Sequence, residues 1–269
     1  MSGPLLSRKS VAKPWGREVL PAPFDAAGER IGEIWFEPPP AFDDLLIKYI
    51  FTSEALSVQV HPSDAETEAK GLGRQGKEEC WLVIDAEPGA KLGIGFDKPL
   101  DPDAMRAAAL DGSIEHLMTW HPVQAGDFFY IPAGTVHAIG AGVSLIEVQQ
   151  NSDITYRLYD YGRPRKLHLD DGIAVANGET YADPRRQHVA KRGEVTLVNG
   201  PLFRLDRIDG PASELLRIAY EGAPLLVVPR SEGISVHGIE LAVGECALAQ
   251  GLDEVAVSGG ALALLARPV

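Results

Sequence analysis

Short apolar runs separated by Gly and Pro predict a mostly β chain, built as two stacked β-sandwich units. Three observations carry this. The 269 residues contain 28 Gly and 20 Pro, scattered between short runs of alternating apolar character. A single stretch, DPDAMRAAALDGSIEHLMTW from Asp101, spaces Ala, Met and Leu as a helix does, so a helical insertion is expected near 101–119. Finally, LAVGECALAQG late in the chain echoes QAGDFFYIPAG in the middle, each with a Gly turn, an acidic residue and an apolar strand.

The elements follow in order. Residues 1–30 are rich in Pro and Gly and read as an irregular wrap with short strands. IGEIWFEP, LLIKYIFTS and LSVQVHP read as strands, and residues 63–75 as a loop or short helix. EECWLVID and AKLGIGF are strand-like. Asp101 or Asp103 can cap the helical insertion. Strands resume with HPVQAG, DFFYIPAG, TVHAIG and SLIEVQQ, and the polar stretch 170–195 reads as a connector. A second β series follows: EVTLV, LFRLDRI, LLRIAYE, LLVVPR, ISVHG, CALAQG and ALALLARP. Two domains are expected, 1–190 carrying the chemistry and 191–269 a smaller β unit without metal ligands.

Composition narrows the partners. With 25 Lys+Arg against 38 Asp+Glu the net charge is −13, which argues against nucleic acid and anionic membranes but leaves room for a phosphorylated small substrate. Hydrophobic residues at 45% and charged residues at 23% suit a soluble chain with a core of its own. Cys80 and Cys246 are too few for a disulfide framework and are expected as free thiols of a cytoplasmic protein. The first residues, MSGPLLSRKSVAKPWG, lack the apolar core of a signal peptide. No run reaches the roughly 18 apolar residues of a membrane-spanning helix.

Three pieces carry chemistry. Gln59 and His61 point to one side of their strand, Val58 and Val60 to the other. Taken alone, that pair fits a solvated sheet face better than a site. Lys77 and Glu79 share a side at the entry to the core-like CWLVI. Glu78 is a near rival to Glu79, and Cys80 alternates away. The third piece, Gly126-Asp-Phe-Phe-Tyr-Ile-Pro132-Ala-Gly134-Thr-Val-His137, fits G-x5-P-x-G-x2-H, the second metal motif of the cupin superfamily. Ala141 stands where that motif often has Asn. Two His, a carboxylate and an amide oxygen form a donor set suited to zinc or another divalent transition metal. His116, His121, His168, His188 and His237 lack such surroundings and are expected to be structural or exposed.

LSVQVHPSD, GKEECW, FFYIPAGTVHAIG and EVQQNSDITYRLYDYGR together resemble the type I mannose-6-phosphate isomerases of the short bacterial kind. The match runs in order from about Lys13-Pro-Trp-Gly16 to about Leu169 and weakens after 190. The resemblance implies a cupin fold, that is, a jelly-roll β-sandwich or barrel. It also implies one zinc ion per chain and the interconversion of mannose 6-phosphate and fructose 6-phosphate through an enediol. Carried over by motif, the metal ligands are Gln59, His61, Glu79 and His137, and the catalytic arginine is Arg157. Lys77 is expected to face the same cavity, to bind phosphate, stabilise the enediolate, or relay a proton if burial lowers its pKa. Glu147, sharing a strand face with Gln149, is a candidate base or a support for the metal ligands. Arg163, Arg165 and Lys166 either close over phosphate or form a solvated cluster. Two other readings use the same residues: a cupin metal-dependent dioxygenase, and a non-catalytic sugar-phosphate sensor. The expected partner is a small sugar phosphate, with the chain a monomer or homodimer.

Overall fold

A computed structural model describes residues 3–269. Its first unit is a sandwich of two antiparallel sheets. The larger has the order β1-β2-β3-β10-β5-β8-β12. Those strands are β1 (Ser7–Arg17), β2 (Ile31–Glu37), β3 (Leu45–Phe51), β5 (Glu79–Ala86), β8 (Asp127–Ile131), β10 (Val143–Gln150) and β12 (Gln187–His188). The smaller, β11-β4-β9-β6-β7, uses β4 (Val58–Val60), β6 (Lys91–Phe96), β7 (Met118–Pro122), β9 (His137–Ile139) and β11 (Tyr156–Tyr159). The second unit is another two-sheet sandwich. Its five-stranded sheet is β13-β14-β20-β15-β18, from β13 (Val195–Asn199), β14 (Phe203–Asp209), β15 (Leu225–Pro229), β18 (Ala247–Ala249) and β20 (Leu262–Pro268). Its three-stranded sheet is β17-β16-β19, from β16 (Ile234–Val236), β17 (Ile239–Glu240) and β19 (Val255–Val257). β12 still pairs with β8, β13 begins the second pair of sheets at Val195, and Leu5 bridges to Ala247 of β18.

Strand alternation builds the layers. On the large sheet one face carries Ile50, Trp81, Val83 and Leu145 into the interior of the first sandwich, with Leu92, Ile94 and Ile139 from the small sheet. The opposite face carries Ile34, Phe36, Ile47, Tyr49, Phe51, Cys80, Phe128, Tyr130, Ile146 and Val148. These pack into one buried cluster with Phe203, Leu205, Leu226, Val228, Leu264 and Ala266 of the second unit. The two units therefore share a core. Residues 63–75 include the short helix α1 (Asp64–Ala69), and the outer face of the small sheet, with Val58, Val60 and Ala138, is covered by the helices α2 (Pro102–Asp111), α3 (Ile114–Leu117) and α4 (Leu169–Val175).

Several local expectations are corrected. Residues 7–17, read as part of an irregular wrap, form an eleven-residue strand; β1 is a sheet edge, where Pro14 costs no ladder hydrogen bond. The helical insertion ends at Leu117, and Met118–Pro122 form a strand that leaves only a turn in the rest of HPVQAG. The 170–195 connector contains α4. Its Gly172, close against Leu158, breaks the helical pattern that Ile173 and Val175 would otherwise signal. LLRIAYE, read as a strand, begins in the helix Glu214–Ala219, because Ser213 caps it by accepting from the Leu216 N–H. The echo between the units survives as backbone geometry: Gly126 and Gly244 both turn the chain at positive φ (98° and 90°) just before β8 and β18.

Candidate metal centre and cavity

The centre lies between the two sheets of the first unit. Val58, Val60, Val136 and Ala138 face the helices, so Gln59 and His137, paired across β4 and β9, face inward. On β5, Trp81 points into the sandwich and Cys80 into the other core, which sends Glu79 inward with Trp81. Glu78 takes the outer side, where the Tyr130 hydroxyl donates to it. Strand parity thus turns Glu79 toward the centre and Glu78 away from it.

His61, Glu79 and His137 converge, their donor atoms all within 4.8 Å of one another. His61 Nε2 lies 3.6 Å from Glu79 Oε2, and His137 Nε2 lies 3.4 Å from Oε1. Each imidazole is held by a backbone carbonyl at Nδ1, of Ile154 at 2.8 Å and of Thr135 at 2.9 Å. A carbonyl can only accept, so both Nδ1 atoms carry the proton and both Nε2 atoms present a lone pair. Burial lowers the pKa of both rings, that of His137 to about 4, so they are neutral at neutral pH.

Glu79 is fully buried and neither of its oxygens accepts a hydrogen bond. Lys77 Nζ stands 2.7 Å from Oε2, close enough for an ion pair but badly angled for a hydrogen bond. Burial and then Glu147 push the Glu79 carboxyl up to about 7. A buried carboxylate without donors is costly. Two neutral imidazole nitrogens aimed at it complete a donor set for a divalent cation, so these residues fit the metal that the motifs imply. Gln59 is placed differently from the expected fourth ligand. Its amide nitrogen is 3.2 Å from His137 Nε2, and its oxygen accepts from the Ser57 hydroxyl at 3.2 Å. A half-turn about the last side-chain bond exchanges the two ends.

A row of charges forms the adjoining wall, and its Lys48 is the member the sequence reading missed. Lys48 on β3 pairs in register with Glu147 on β10, which pairs with Trp81 on β5. Lys48 Nζ lies 3.1 Å from Glu147 Oε1 and donates to Gln149, while the Trp81 indole donates to Glu147 Oε2 at 3.0 Å. Burial pushes the Glu147 carboxyl up, but Lys77 and Lys48 outweigh it and hold it down at about 2. Its stabilisation is therefore present above the ordinary value of 4.5 and drains away as pH falls toward 2. Lys77 was expected to relay a proton if burial lowered its pKa. Burial does push it down, but Glu79 and Glu147 outweigh that and raise it, keeping the ammonium protonated. Lys48→Met should cost about 3–5 kcal/mol by stranding Glu147, and Glu147→Gln alongside it should recover most of the loss. Thermal melts of the metal-free variants check this; an unchanged melting temperature for Lys48→Met would refute it.

Next to the centre, reached through Gln59 and Lys77, is a cavity of about 210 Å³ whose lining also includes Lys13, Glu33, Lys48, Arg157 and Arg165. In a chain of net charge −13 this is a concentration of cations. Arg157 stands on β11 opposite Gln59, and Arg165 is clamped by the buried Asp160 through two hydrogen bonds of 2.6 and 2.5 Å. Arg163 is turned aside onto the Asp160 and Ala55 carbonyls, and Lys166 is exposed. None of the remaining five histidines joins the centre; His188 and His237, for example, pair with Asp127 and Glu254. Among the described residues no helix is long and apolar enough to cross a membrane.

No family model matches the chain. The mannose-6-phosphate isomerase of Streptococcus mutans is 41% identical over 167 residues, 59% of this chain and 52% of its own length. The chain spans about half the length of the curated relatives of this kind, 43% in the case of mannose-6-phosphate isomerase ManA of Bacillus subtilis. A longer alignment links it to YvyI of Bacillus subtilis, assigned by its name to the mannose-6-phosphate isomerases: 34% identity over 223 residues, 74% of this chain and 70% of YvyI. Among solved structures, the mannose 6-phosphate isomerase of Bacillus subtilis superposes with a TM-score of 0.74 at 22% identity, over 97% of this chain and 98% of that one. A zinc-bound mannose 6-phosphate isomerase gives 0.72 at 14% identity, over 98% and 99%. At such identities the structures establish the fold, which is of the cupin type, while the sequence match to YvyI extends over most of both chains. With the QVHP, GKEE and YRLYDYGR strings in place on that fold, the chain belongs to the mannose-6-phosphate isomerase family.

Proposed function

We propose that this protein is a zinc-dependent aldose–ketose isomerase interconverting mannose 6-phosphate and fructose 6-phosphate. The observation that carries the reading is the convergence of His61, Glu79 and His137 next to a cation-rich cavity, whose lining includes their neighbours Gln59 and Lys77. Zinc would be held by these three, with Gln59 as a fourth donor after its amide turns. The solved relative described as zinc-bound supports the choice of metal. A bound zinc ion supplies Lewis acidity toward the oxygens on C1 and C2.

The chain's own groups divide the remaining work. Arg157 and Arg165 offer planar forks to the phosphate or to charge developing on the sugar. Lys77, kept protonated by its carboxylate neighbours, donates to an oxygen of the enediolate rather than abstracting a proton. Glu147, with both oxygens engaged, holds the charges of Lys48 and Lys77 in place; this role fits it better than that of base. Trp15, Ile50, Leu56 and Ile139 add apolar side chains to a lining that is otherwise mostly polar. Location in the cytoplasm, supported by two buried free thiols, and a monomeric or dimeric state belong to the same proposal.

A coupled assay of mannose 6-phosphate isomerisation, with and without chelator, tests the function. Activity lost to chelator and restored by zinc is expected. Absence of turnover with stoichiometric zinc bound would refute it. Arg157→Lys keeps the charge and loses the fork, and kcat should fall roughly 100-fold with little change in melting temperature. An unchanged kcat with a raised KM would make Arg157 a phosphate clamp alone.

A further inference from the structure

The Lys13-Pro14-Trp15-Gly16 string has no part in the metal centre, yet the fold goes to some length to place it. On β1, Ala12 and Arg17 both pair with Ile31, so Lys13 to Gly16 bulge out of register. The bulge lies tight against β2. A Cβ on Gly16 would come within 2.4 Å of the Ile31 backbone, and one on Gly32 within 2.6 Å of the Trp15 ring and 2.7 Å of Lys13. Two glycines thus let the bulge fold over β2, which brings Lys13 and Trp15 into the lining of the cavity beside Glu33.

Glu33 is held from two directions. Its Oε2 lies 3.1 Å from Lys13 Nζ and accepts from the Trp35 indole at 2.7 Å. Its Oε1 has no hydrogen-bond partner among the described residues and is not sealed from solvent. Lys13 has three donors and gives one toward Glu33; its side chain remains 27% exposed. The lining of the cavity therefore carries, side by side, an oriented acceptor and a free donor, both held beside Trp35.

We propose that Lys13 and Glu33 form a clamp for a pair of neighbouring sugar hydroxyls, and so determine which aldose phosphates the site accepts. This rests on the isomerase reading of the same site. A vicinal diol presents one O–H to give and one oxygen to receive, matching Glu33 Oε1 and Lys13 Nζ. A phosphate is poorly matched here, because Glu33 repels it. The guanidiniums of Arg157 and Arg165 belong to the β11 side of the cavity, whereas the clamp belongs to β1 and β2 of the other sheet. The two sides thus differ in chemistry, and an extended sugar phosphate has one orientation that satisfies both.

The test uses zinc-loaded full-length protein and a non-isomerisable probe, a hexitol 6-phosphate, followed by titration calorimetry beside steady-state kinetics. Glu33→Gln keeps the shape and loses the charge; Lys13→Met is a second variant should the first fold poorly. Each is expected to weaken hexitol 6-phosphate binding and kcat/KM for mannose 6-phosphate by about 10- to 100-fold with zinc content unchanged. The 3-deoxy and 4-deoxy analogues give the decisive comparison. For one of them the penalty of the variant should shrink to under about 3-fold, since the hydroxyl being read is already missing. An equal penalty on the parent and on both deoxy compounds would overturn the clamp, as would variants indistinguishable from the natural protein. A natural protein that neither binds the hexitol phosphate nor turns over mannose 6-phosphate would overturn the isomerase reading, and the clamp with it.

Discussion

Replacing His137 with alanine is expected to reduce bound zinc from one ion per chain to a small fraction, and turnover by roughly three orders of magnitude. The site leaves little room for compensation. His137 is one of three inward donors, and Glu79, the anion among them, has no hydrogen-bond donor of its own. Removing one imidazole leaves two strong donors for an ion that needs at least three protein anchors. A second readout separates loss of metal from loss of fold. In the natural protein added zinc should raise the melting temperature, because it binds the native state alone. In His137→Ala that rise should vanish while the metal-free melting temperature stays close to the original. Elemental analysis and melts with and without zinc are sufficient. Stoichiometric zinc and ordinary turnover in the variant would show the ligand set to be wrong.

Ending the chain after residue 190 should give insoluble or strongly destabilised protein. The ten side chains on the outer face of the large sheet, from Ile34 to Val148, are buried against Phe203, Leu205, Leu226, Val228, Leu264 and Ala266. Uncovering a large apolar side chain costs roughly 1.5–3 kcal/mol. Even a few of them add up to the 5–15 kcal/mol by which a typical domain is stable. The second unit provides none of the three inward donors, so the effect is one of packing rather than chemistry. Solubility, gel filtration and circular dichroism of the truncated chain measure it. A soluble, monomeric and fully active fragment would contradict it.

Strand parity made much of the centre readable in advance. Alternation alone puts Gln59 on the face opposite Val58 and Val60, and it separates Glu79 from Cys80. The Gly126-to-His137 string encodes a turn, a strand and a return, each imposed by local sterics, so its histidine could be located without coordinates. Local signals also misled. Ser213 supplies a helix cap that outweighs a short apolar run, and β1 tolerates Pro14 because the neighbour that would need its N–H is absent at a sheet edge.

What the sequence by itself determined was the β class, the resemblance to the isomerase family and the residues of the three local motifs, because each is written in contiguous residues. Tertiary structure decided the rest. Lys48 in LLIKYIF is one charge in an apolar strand until β10 brings Glu147 beside it from 99 positions along the chain. Whether Glu147 acts as base or as counter-ion depends on the oxygens that Lys48 and Trp81 occupy, and whether Lys77 keeps its proton depends on two carboxylates reaching it through a buried interior. Lys13 and Glu33 meet only because the bulge in β1 folds over Gly32. Cross-strand partners are chosen by register and sheet order, which are properties of the whole chain, and the charge states of buried groups follow from those partners.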